Sequence, residues 1–168
     1  MASPKDRRLQ SDFEKVQKLA AESGGALRLV RTSGQPPTQY VLEYHCPSLV
    51  RQKDGGMIIT HRHQVEINLG SHYPFSQPGA HMLTPVFNPH VFSSNAICLG
   101  VVWNAAETLD TLVLKIGALL QLDPKVLDAH SPANSQANQW VQQNRSKIPL
   151  GNISFKTAAE PSNRIQWS

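Results

Sequence analysis

The spacing of apolar residues in the first part of the chain predicts an amphipathic helix over residues 6–22. The apolar residues at the i, i+4, i+7 and i+11 positions are Leu9, Phe13, Val16 and Ala20. This spacing places them on one face of a helix, with charged residues on the other face. Gly24 and Gly25 follow and end the predicted helix.

Alternation of apolar and polar positions then predicts four strands, at residues 26–32, 39–46, 57–69 and 80–83. The third is the longest, and the residues at odd positions on one of its faces are Met57, Ile59, His61, His63, Val65, Ile67 and Leu69. The Asp54-Gly55-Gly56 segment before it is a hairpin turn signal. We expect the four strands to form an antiparallel meander.

The second half of the chain predicts a long loop and two further helices. Residues 84–107 contain several Pro, Asn and Ser residues and show no periodicity, and a loop this long in a small domain is usually functional. Apolar residues between Leu109 and Leu120 then follow helical spacing, after Thr108 as a candidate N-cap. Another helix is predicted to begin near Ser131. The predicted class is α+β, with helices packed against one face and the end of the sheet.

The length and composition of the chain indicate a buried core and a single domain. The chain has 168 residues, of which 40% are hydrophobic and 17% charged. This amount of apolar material supports a buried core and excludes a wholly disordered chain. We expect one domain over residues 1–145, followed by a tail of uncertain order at residues 146–168, where periodicity is weak.

Charge and hydropathy narrow the classes of partner. No apolar run approaches the ~18–20 residues that span a bilayer, and the N-terminus lacks the apolar stretch of a signal peptide. This pattern favours a cytoplasmic protein without a membrane partner. The net charge of +4 does not form a basic stripe, so we expect no nucleic-acid partner.

Two cysteines are too few for a disulfide framework, and each has a different setting. Cys46 continues the apolar face of a predicted strand, which indicates a buried, inert thiol. Cys98 lies in the long loop, where a thiolate is easier to reach, so it is compatible with either catalysis or simple burial. His61 and His63 can share a metal on one strand, but they lack a third ligand, and a structural role is favoured.

Six segments of the chain, taken in order, resemble the ubiquitin-conjugating enzyme family. They are Tyr73-Pro74-Phe75-Ser76-Gln77-Pro78, Asn88-Pro89-His90, Ile97-Cys98-Leu99, Trp103 with the helix ending at Leu119-Leu120, Asp123-Pro124 with Asp128, and Ser131-Pro132-Ala133-Asn134 running on to Ala137. Eight residues lead from His90 to Cys98, which is the family's own spacing. The resemblance covers roughly residues 6–144.

The resemblance implies a fold with an N-terminal helix, a four-stranded antiparallel meander, a long active-site loop and two or more C-terminal helices. It implies that Cys98 accepts the C-terminus of a ubiquitin-like protein from an activating enzyme as a thioester. An amine, usually a lysine of a protein target, then takes the modifier as an amide. Asp128 falls near an acidic position that orients or deprotonates this amine.

The resemblance also implies partners and the absence of a cofactor. ATP belongs to the activating enzyme, so the chain itself is expected to hold no cofactor and no metal. The first helix of the family helps to meet the activating enzyme. The residues of that helix implied here as the contact are Arg7, Arg8 and Lys15.

The chain departs from the family at the residues that matter for chemistry. Asn88-Pro89-His90 stands where the family has His-Pro-Asn, whose Asn serves the oxyanion or orders the loop. Three alternatives follow: Asn88 or His90 donates to the oxyanion, His90 acts as a base on the amine, or both side chains hold the loop. Gly100 also replaces an acid. These changes suggest a distant branch that resembles bacterial members, some of which act in antiviral defence.

Three functions are therefore compared. The first is a conjugating enzyme that works through Cys98, and the second is a non-catalytic binding module of the same fold. The third is a cysteine hydrolase that pairs Cys98 with His90 or His130, which needs a base within hydrogen-bond reach of the thiol. A cysteine at the family's spacing favours the first.

Overall fold

A computed structural model describes residues 1–128, 130–148 and 153–155. The elements in chain order are α1 (Pro4–Glu22), β1 (Leu27–Ser33), β2 (Gln39–Tyr44), β3 (Ser48–Arg51), β4 (Met57–Thr60), β5 (His63–Asn68), β6 (Gly79–Met82), α2 (Leu109–Leu120), α3 (Ser135–Gln143) and a single 3₁₀ turn (Arg145–Lys147). The α+β class and the N-terminal helix are confirmed. None of the helices in these residues has the length and apolar character that crossing a bilayer requires.

Helix α1 begins two residues earlier than predicted because its first turn is well capped. The Ser3 hydroxyl accepts a hydrogen bond from the Asp6 main-chain N–H, and the Asp6 carboxylate accepts one from the Ser3 N–H. Pro4 occupies the first turn, where its missing N–H removes no helical hydrogen bond. The predicted apolar face is confirmed, with Leu9 and Val16 buried against the sheet.

The main sheet has four antiparallel strands in the order β1-β2-β5-β6. Leu42 lies opposite Val65, and Val65 lies opposite Met82, which sets the register across the three strands nearest the site. This sheet confirms the predicted four-stranded antiparallel arrangement. A separate two-stranded sheet, β3-β4, interrupts the meander between β2 and β5.

The predicted single strand over residues 57–69 is wrong, because the chain changes sheets at His61 and Arg62. Strand β4 pairs with β3 in the small sheet, and β5 pairs with β2 and β6 in the main sheet. His61 is consequently exposed while His63 is fully buried, so the two histidines do not form the predicted common face. The described residues contain no group of three or more His, Cys, Asp or Glu that could hold a metal ion.

Helix α2 lies in the centre of the core and reaches the sheet through Tyr44, whose hydroxyl donates to the Val113 carbonyl at 2.7 Å. Phe155 packs edge-on against Tyr44, with ring centroids 5.5 Å apart, and covers Gly117 of α2. Phe155 belongs to the predicted tail, yet it is buried. Residues 149–152 and 156–168 of that tail lie outside the described residues, and the predicted boundary at 145 stays a prediction.

Helix α3 begins four residues later than predicted, at Ser135 rather than near Ser131. The Asn134 side chain caps it by accepting a hydrogen bond from the Ala137 N–H at 3.0 Å. Pro132 therefore precedes the helix instead of lying in its first turn. Ala137 and Val141 are buried, as the predicted apolar face requires.

Candidate active site

Cys98 lies within the long loop between β6 and α2, where the chain runs beside the main sheet. The Ile97 N–H donates to the Ala80 carbonyl of β6 at 2.9 Å, and the Cys98 N–H donates to the His90 carbonyl at 2.7 Å. These main-chain bonds position the cysteine without covering it, because Cys98 is a free thiol of intermediate exposure. The sulfur is therefore placed where an acyl group can approach.

Cys46 has the opposite environment. It is completely buried in the main core, and burial raises the pKa of its thiol to about 12. A thiol in this state stays protonated near neutral pH and is a poor nucleophile. The prediction that Cys46 is a buried thiol is confirmed.

The two ring nitrogens of His90 are both used within the chain. The main-chain N–H of Asp128 donates to Nε2 at 2.9 Å, and Nδ1 lies 3.1 Å from the Cys98 carbonyl oxygen. A main-chain N–H can only donate, so Nε2 must accept and the ring proton must be on Nδ1. The assigned tautomer therefore donates from Nδ1 to the Cys98 carbonyl, and His90 links Cys98 to Asp128.

Asn88 also forms hydrogen bonds through both ends of its side-chain amide. Its amide nitrogen donates to the Leu119 carbonyl of α2 at 2.8 Å, and its amide oxygen accepts from the His90 N–H at 2.8 Å. The side chain is buried and ties the loop to the last turn of the helix. Of the three alternatives for Asn88 and His90, these contacts favour the one in which both side chains hold the loop.

Asp128 has an exposed carboxylate, and hydrogen bonds hold both its main chain and one of its carboxylate oxygens. Its main-chain N–H is bound by His90, and its Oδ1 accepts the His130 N–H at 2.9 Å. Oδ2 has no hydrogen-bond partner within residues 1–128, 130–148 and 153–155. The carboxylate can therefore receive a donor that arrives from solution.

Lys115 is a site residue that sequence reasoning missed. It projects from α2, and its Nζ donates to the Leu99 carbonyl at 2.7 Å, one residue after the cysteine. Trp103, further along the same segment, donates from Nε1 to the Pro74 carbonyl at 2.7 Å. No sequence signal points to Lys115, since it is 16 residues from Leu99 and the contact depends on tertiary packing.

A comparison with protein families matches residues 41–149, more than half of the chain, to the family model described as ubiquitin-conjugating enzyme. The chain belongs to the ubiquitin-conjugating enzyme family. The resemblance found in the six sequence segments is thereby confirmed, and so is the fold that it implied.

Individual members of the family match over different lengths. Ubiquitin-conjugating enzyme E2 1 of Caenorhabditis elegans is 26% identical over 86% of this chain and 70% of its own length. Ubiquitin-conjugating enzyme E2 2 of Debaryomyces hansenii is 25% identical over 88% of this chain and 81% of its own. Ubiquitin-conjugating enzyme E2 K of Homo sapiens is 40% identical, over 35% of this chain and 32% of its own. These three relatives are eukaryotic, so the expected bacterial branch and its antiviral role remain predictions.

The three basic residues of α1 that the family resemblance singled out differ in their contacts. Arg7 and Lys15 are exposed. The Arg8 guanidinium is instead used within the chain: its Nε bonds Asp12 at 2.7 Å, and its terminal nitrogens reach the Tyr73 hydroxyl and the Ala105 and Glu107 carbonyls. These contacts favour a structural role for Arg8 and leave Arg7 and Lys15 as the accessible cations of the predicted docking face.

Proposed function

We propose that this chain accepts the C-terminus of a ubiquitin-like protein from an activating enzyme as a thioester on Cys98 and transfers it to an amine of a protein target. The observation that carries the proposal is the linked arrangement of Cys98, His90 and Asp128. A partly exposed thiol and an exposed carboxylate are held on one framework by the His90 ring. A cysteine nucleophile and a carboxylate that can accept a proton, held on one framework, suit acyl transfer in two steps.

In the first step the Cys98 thiolate attacks the thioester carbonyl of the modifier on the activating enzyme. The new carbon–sulfur bond forms, and the thiolate of the activating enzyme leaves. In the second step the amine attacks the thioester on Cys98, the carbon–nitrogen bond forms, and the Cys98 thiolate leaves. Asp128 takes up or orients the amine proton through its free carboxylate oxygen.

The partners follow from this chemistry. The activating enzyme consumes ATP, so the chain needs no cofactor of its own for either step. Arg7 and Lys15 supply the positive charge with which α1 meets the activating enzyme. The modifier can be ubiquitin or a ubiquitin-like protein encoded beside this chain, as in the predicted bacterial antiviral pathway. Parallel charging reactions with the two modifiers distinguish these pathways.

The alternative hydrolase would need a base that hydrogen-bonds the thiol. Both nitrogens of His90 are occupied by main-chain groups, and the bond with Asp128 uses the nitrogen that would have to accept the thiol proton. His130 is exposed and contributes its main-chain N–H to the Asp128 carboxylate. These contacts therefore favour a conjugating enzyme over a cysteine hydrolase.

The test is a charging reaction with ATP, ubiquitin-activating enzyme and ubiquitin. A parallel reaction uses an activating enzyme and a ubiquitin-like protein that are encoded beside this chain. We expect an adduct that disappears with reducing agent, that Cys98→Ser turns into a more stable oxyester, and that Cys46→Ser leaves in place. Failure to form an adduct with either set would contradict the proposal and favour a binding module. Cleavage of a modifier fusion by the chain alone would favour the hydrolase.

A further inference from the structure

The contacts of Asn88 and His90 leave the oxyanion of both chemical steps without an obvious side-chain donor. An attacking sulfur or nitrogen turns the thioester carbonyl into a tetrahedral carbon that carries a negative oxygen. Asn88 is buried and gives one amide N–H to Leu119, and His90 gives its ring N–H to Cys98. The donors must come from elsewhere in the site.

The main chain directly after the cysteine supplies them. The N–H groups of Leu99 and Gly100 have no hydrogen-bond acceptor in the parts of the chain that the structure describes. The Cys98 N–H differs, since it is already bound to the His90 carbonyl. The nitrogen of Leu99 is four covalent bonds from Sγ, which limits their separation to about 3–5 Å. An oxygen on the carbon that Sγ attacks is therefore near this N–H.

The two peptide units that carry these N–H groups are held at their carbonyl ends. The Cys98 carbonyl, in the same peptide unit as the Leu99 N–H, accepts from His90 Nδ1 at 3.1 Å. The Leu99 carbonyl, in the same unit as the Gly100 N–H, accepts from Lys115 Nζ at 2.7 Å. In a planar trans peptide the N–H points opposite to the carbonyl, so both N–H groups are turned away from His90 and Lys115. Bonding at the carbonyl also polarises the N–H.

The backbone conformation after the cysteine fits an anion site. Gly100 has φ +91°, whereas Leu99 is not among the residues with positive φ. Such a change in the sign of φ is one feature of the αR–αL residue pairs whose consecutive N–H groups form concave anion-binding sites. Gly100 suits this position because residues with a side chain are strained at such a φ.

We propose that the main-chain N–H groups of Leu99 and Gly100 form the oxyanion hole for Cys98, and that His90 and Lys115 are positioning residues that hold and polarise these two peptide units. This inference rests on the proposed function and assigns the charge stabilisation of that same site. In this proposal the two main-chain N–H groups, and not a side chain at position 88 or 90, donate to the oxyanion. Lys115 acts on the oxyanion through the Leu99–Gly100 peptide.

The decisive experiment replaces single N–H groups by oxygen. The full-length chain is made with an α-hydroxy acid in place of Leu99 or Gly100, which changes one amide to an ester, and the matched control carries the ester at Val102. Each variant is loaded on Cys98 from ubiquitin that carries a C-terminal mercaptoethanesulfonate thioester, without an activating enzyme. Loading and discharge onto free lysine are then timed. The replaced N–H groups have no partner in the described residues, but the ester carbonyl accepts from His90 or Lys115 more weakly than the amide does, so each variant is expected to fold with a small loss of thermal stability.

The expected result is slower acyl transfer with unchanged thiol chemistry. The Leu99 ester should slow loading and discharge by about 100-fold or more, which is the usual effect of removing one oxyanion donor, and the Gly100 ester should slow both at least tenfold. Alkylation of Cys98 by iodoacetamide passes through no tetrahedral oxyanion, so its rate should match that of the unmodified chain. Discharge of the Leu99 ester at the unmodified rate, or equal slowing by the Val102 ester, would overturn the proposal.

Lys115 is tested by variants that keep or remove its donor. Lys115→Met should slow discharge about tenfold, because it weakens a donor rather than removing it. Lys115→Arg should restore most of the rate, and the exposed Lys125→Met serves as the control. Equal slowing by Lys115→Met and Lys115→Arg would contradict the positioning role. If the unmodified chain forms an adduct with neither ubiquitin nor the modifier encoded beside it, the proposed function fails; if it loads and the ester variants match it, only the oxyanion assignment fails.

Discussion

The main-chain N–H of Asp128 donates a hydrogen bond of 2.9 Å to Nε2 of His90. This single bond connects the loop after α2 to the loop that carries Cys98, because the other ring nitrogen of His90 lies 3.1 Å from the Cys98 carbonyl oxygen. The position of the Asp128 carboxylate is thus set by its main chain. Its charge remains available for the amine of the proposed second step, and the position and the charge of the carboxylate can be tested separately.

The charge of Asp128 is expected to act on the second step of the reaction. Asp128→Asn keeps an oxygen that can accept the His130 N–H, and it leaves the main-chain bond to His90 unchanged. Discharge onto free lysine should therefore slow by about 100-fold, the lower end of the usual range for loss of a general base. Charging should stay within about twofold, since no amine takes part in it. Single-turnover assays measure both rates, and equal slowing of the two would indicate a structural role.

The His90 ring is expected to contribute to stability as well as to transfer. His90→Ala removes two partly buried hydrogen bonds, each worth about 0.5–1.5 kcal/mol, so the free energy of unfolding measured in urea should fall by roughly 1–3 kcal/mol. Discharge should also slow, because the Cys98 peptide unit and Asp128 lose their common support. His130→Ala is the matched control, since it keeps the main-chain N–H that Asp128 binds. If His90→Ala left stability, charging and discharge unchanged, the linking role would be wrong.

The basic residues of α1 are expected to fall into two groups. Arg8→Ala should reduce the free energy of unfolding by about 2 kcal/mol, because it leaves the buried Asp12 carboxylate and the Tyr73 hydroxyl without one of their partners. Arg7→Ala and Lys15→Ala should change it by less than about 0.5 kcal/mol, as exposed substitutions usually do. They should instead slow charging by the activating enzyme, and more so at low salt.

Urea unfolding and charging at two salt concentrations distinguish these groups. The thioester-loaded ubiquitin used without an activating enzyme is the control reaction, and Arg7→Ala and Lys15→Ala should load from it at the normal rate. Slower loading in this control would show that these residues act on the cysteine and not on docking. Unchanged charging by the activating enzyme would remove both from the docking face.

Elements with a regular period were the most predictable parts of the fold. Apolar residues repeat at helical spacing in α1 and α2, and both helices lie where that repeat indicates. The break between β4 and β5 has no such signal, since alternation continues through His61 and Arg62. Only the choice of pairing partner separates the strands, and that choice is made by tertiary contacts.

The candidate site was predictable in its chemistry and less so in its geometry. The loop position of Cys98 and the buried state of Cys46 both follow from the pattern of neighbouring residues. The contacts of His90 do not, because they depend on which groups meet each ring nitrogen after folding. Lys115 is a similar case, since the helix that presents it is predictable and the carbonyl that it reaches is not.

Glu43 on β2 carries a pH-dependent part of the stability. Its carboxylate accepts from the Gln64 amide at 2.9 Å, lies 2.7 Å from His45 Nε2, and pairs with Arg62 at 3.0 Å. These partners favour the charged form and lower the pKa of Glu43 to about 2, with the Gln64 bond contributing most. In the unfolded chain the pKa returns to about 4.5, so the unfolded state binds the proton first as the pH falls.

The stabilisation by Glu43 should therefore be complete above about pH 4.5 and disappear as the pH falls towards 2. Glu43→Gln should be less stable than the unmodified chain at pH 7 by about 1–2 kcal/mol, after allowance for the exposed arginine and for solvent screening. This difference should shrink steadily in urea titrations at pH 5, 4 and 3. Gln64→Leu removes the strongest partner and so raises the folded-state pKa of Glu43, which should make the stabilisation smaller and complete its loss at a higher pH, with the onset still near pH 4.5. Parallel stability curves for Glu43→Gln and the unmodified chain between pH 7 and 3 would contradict this account, because a neutral amide cannot reproduce the proton linkage of a carboxylate.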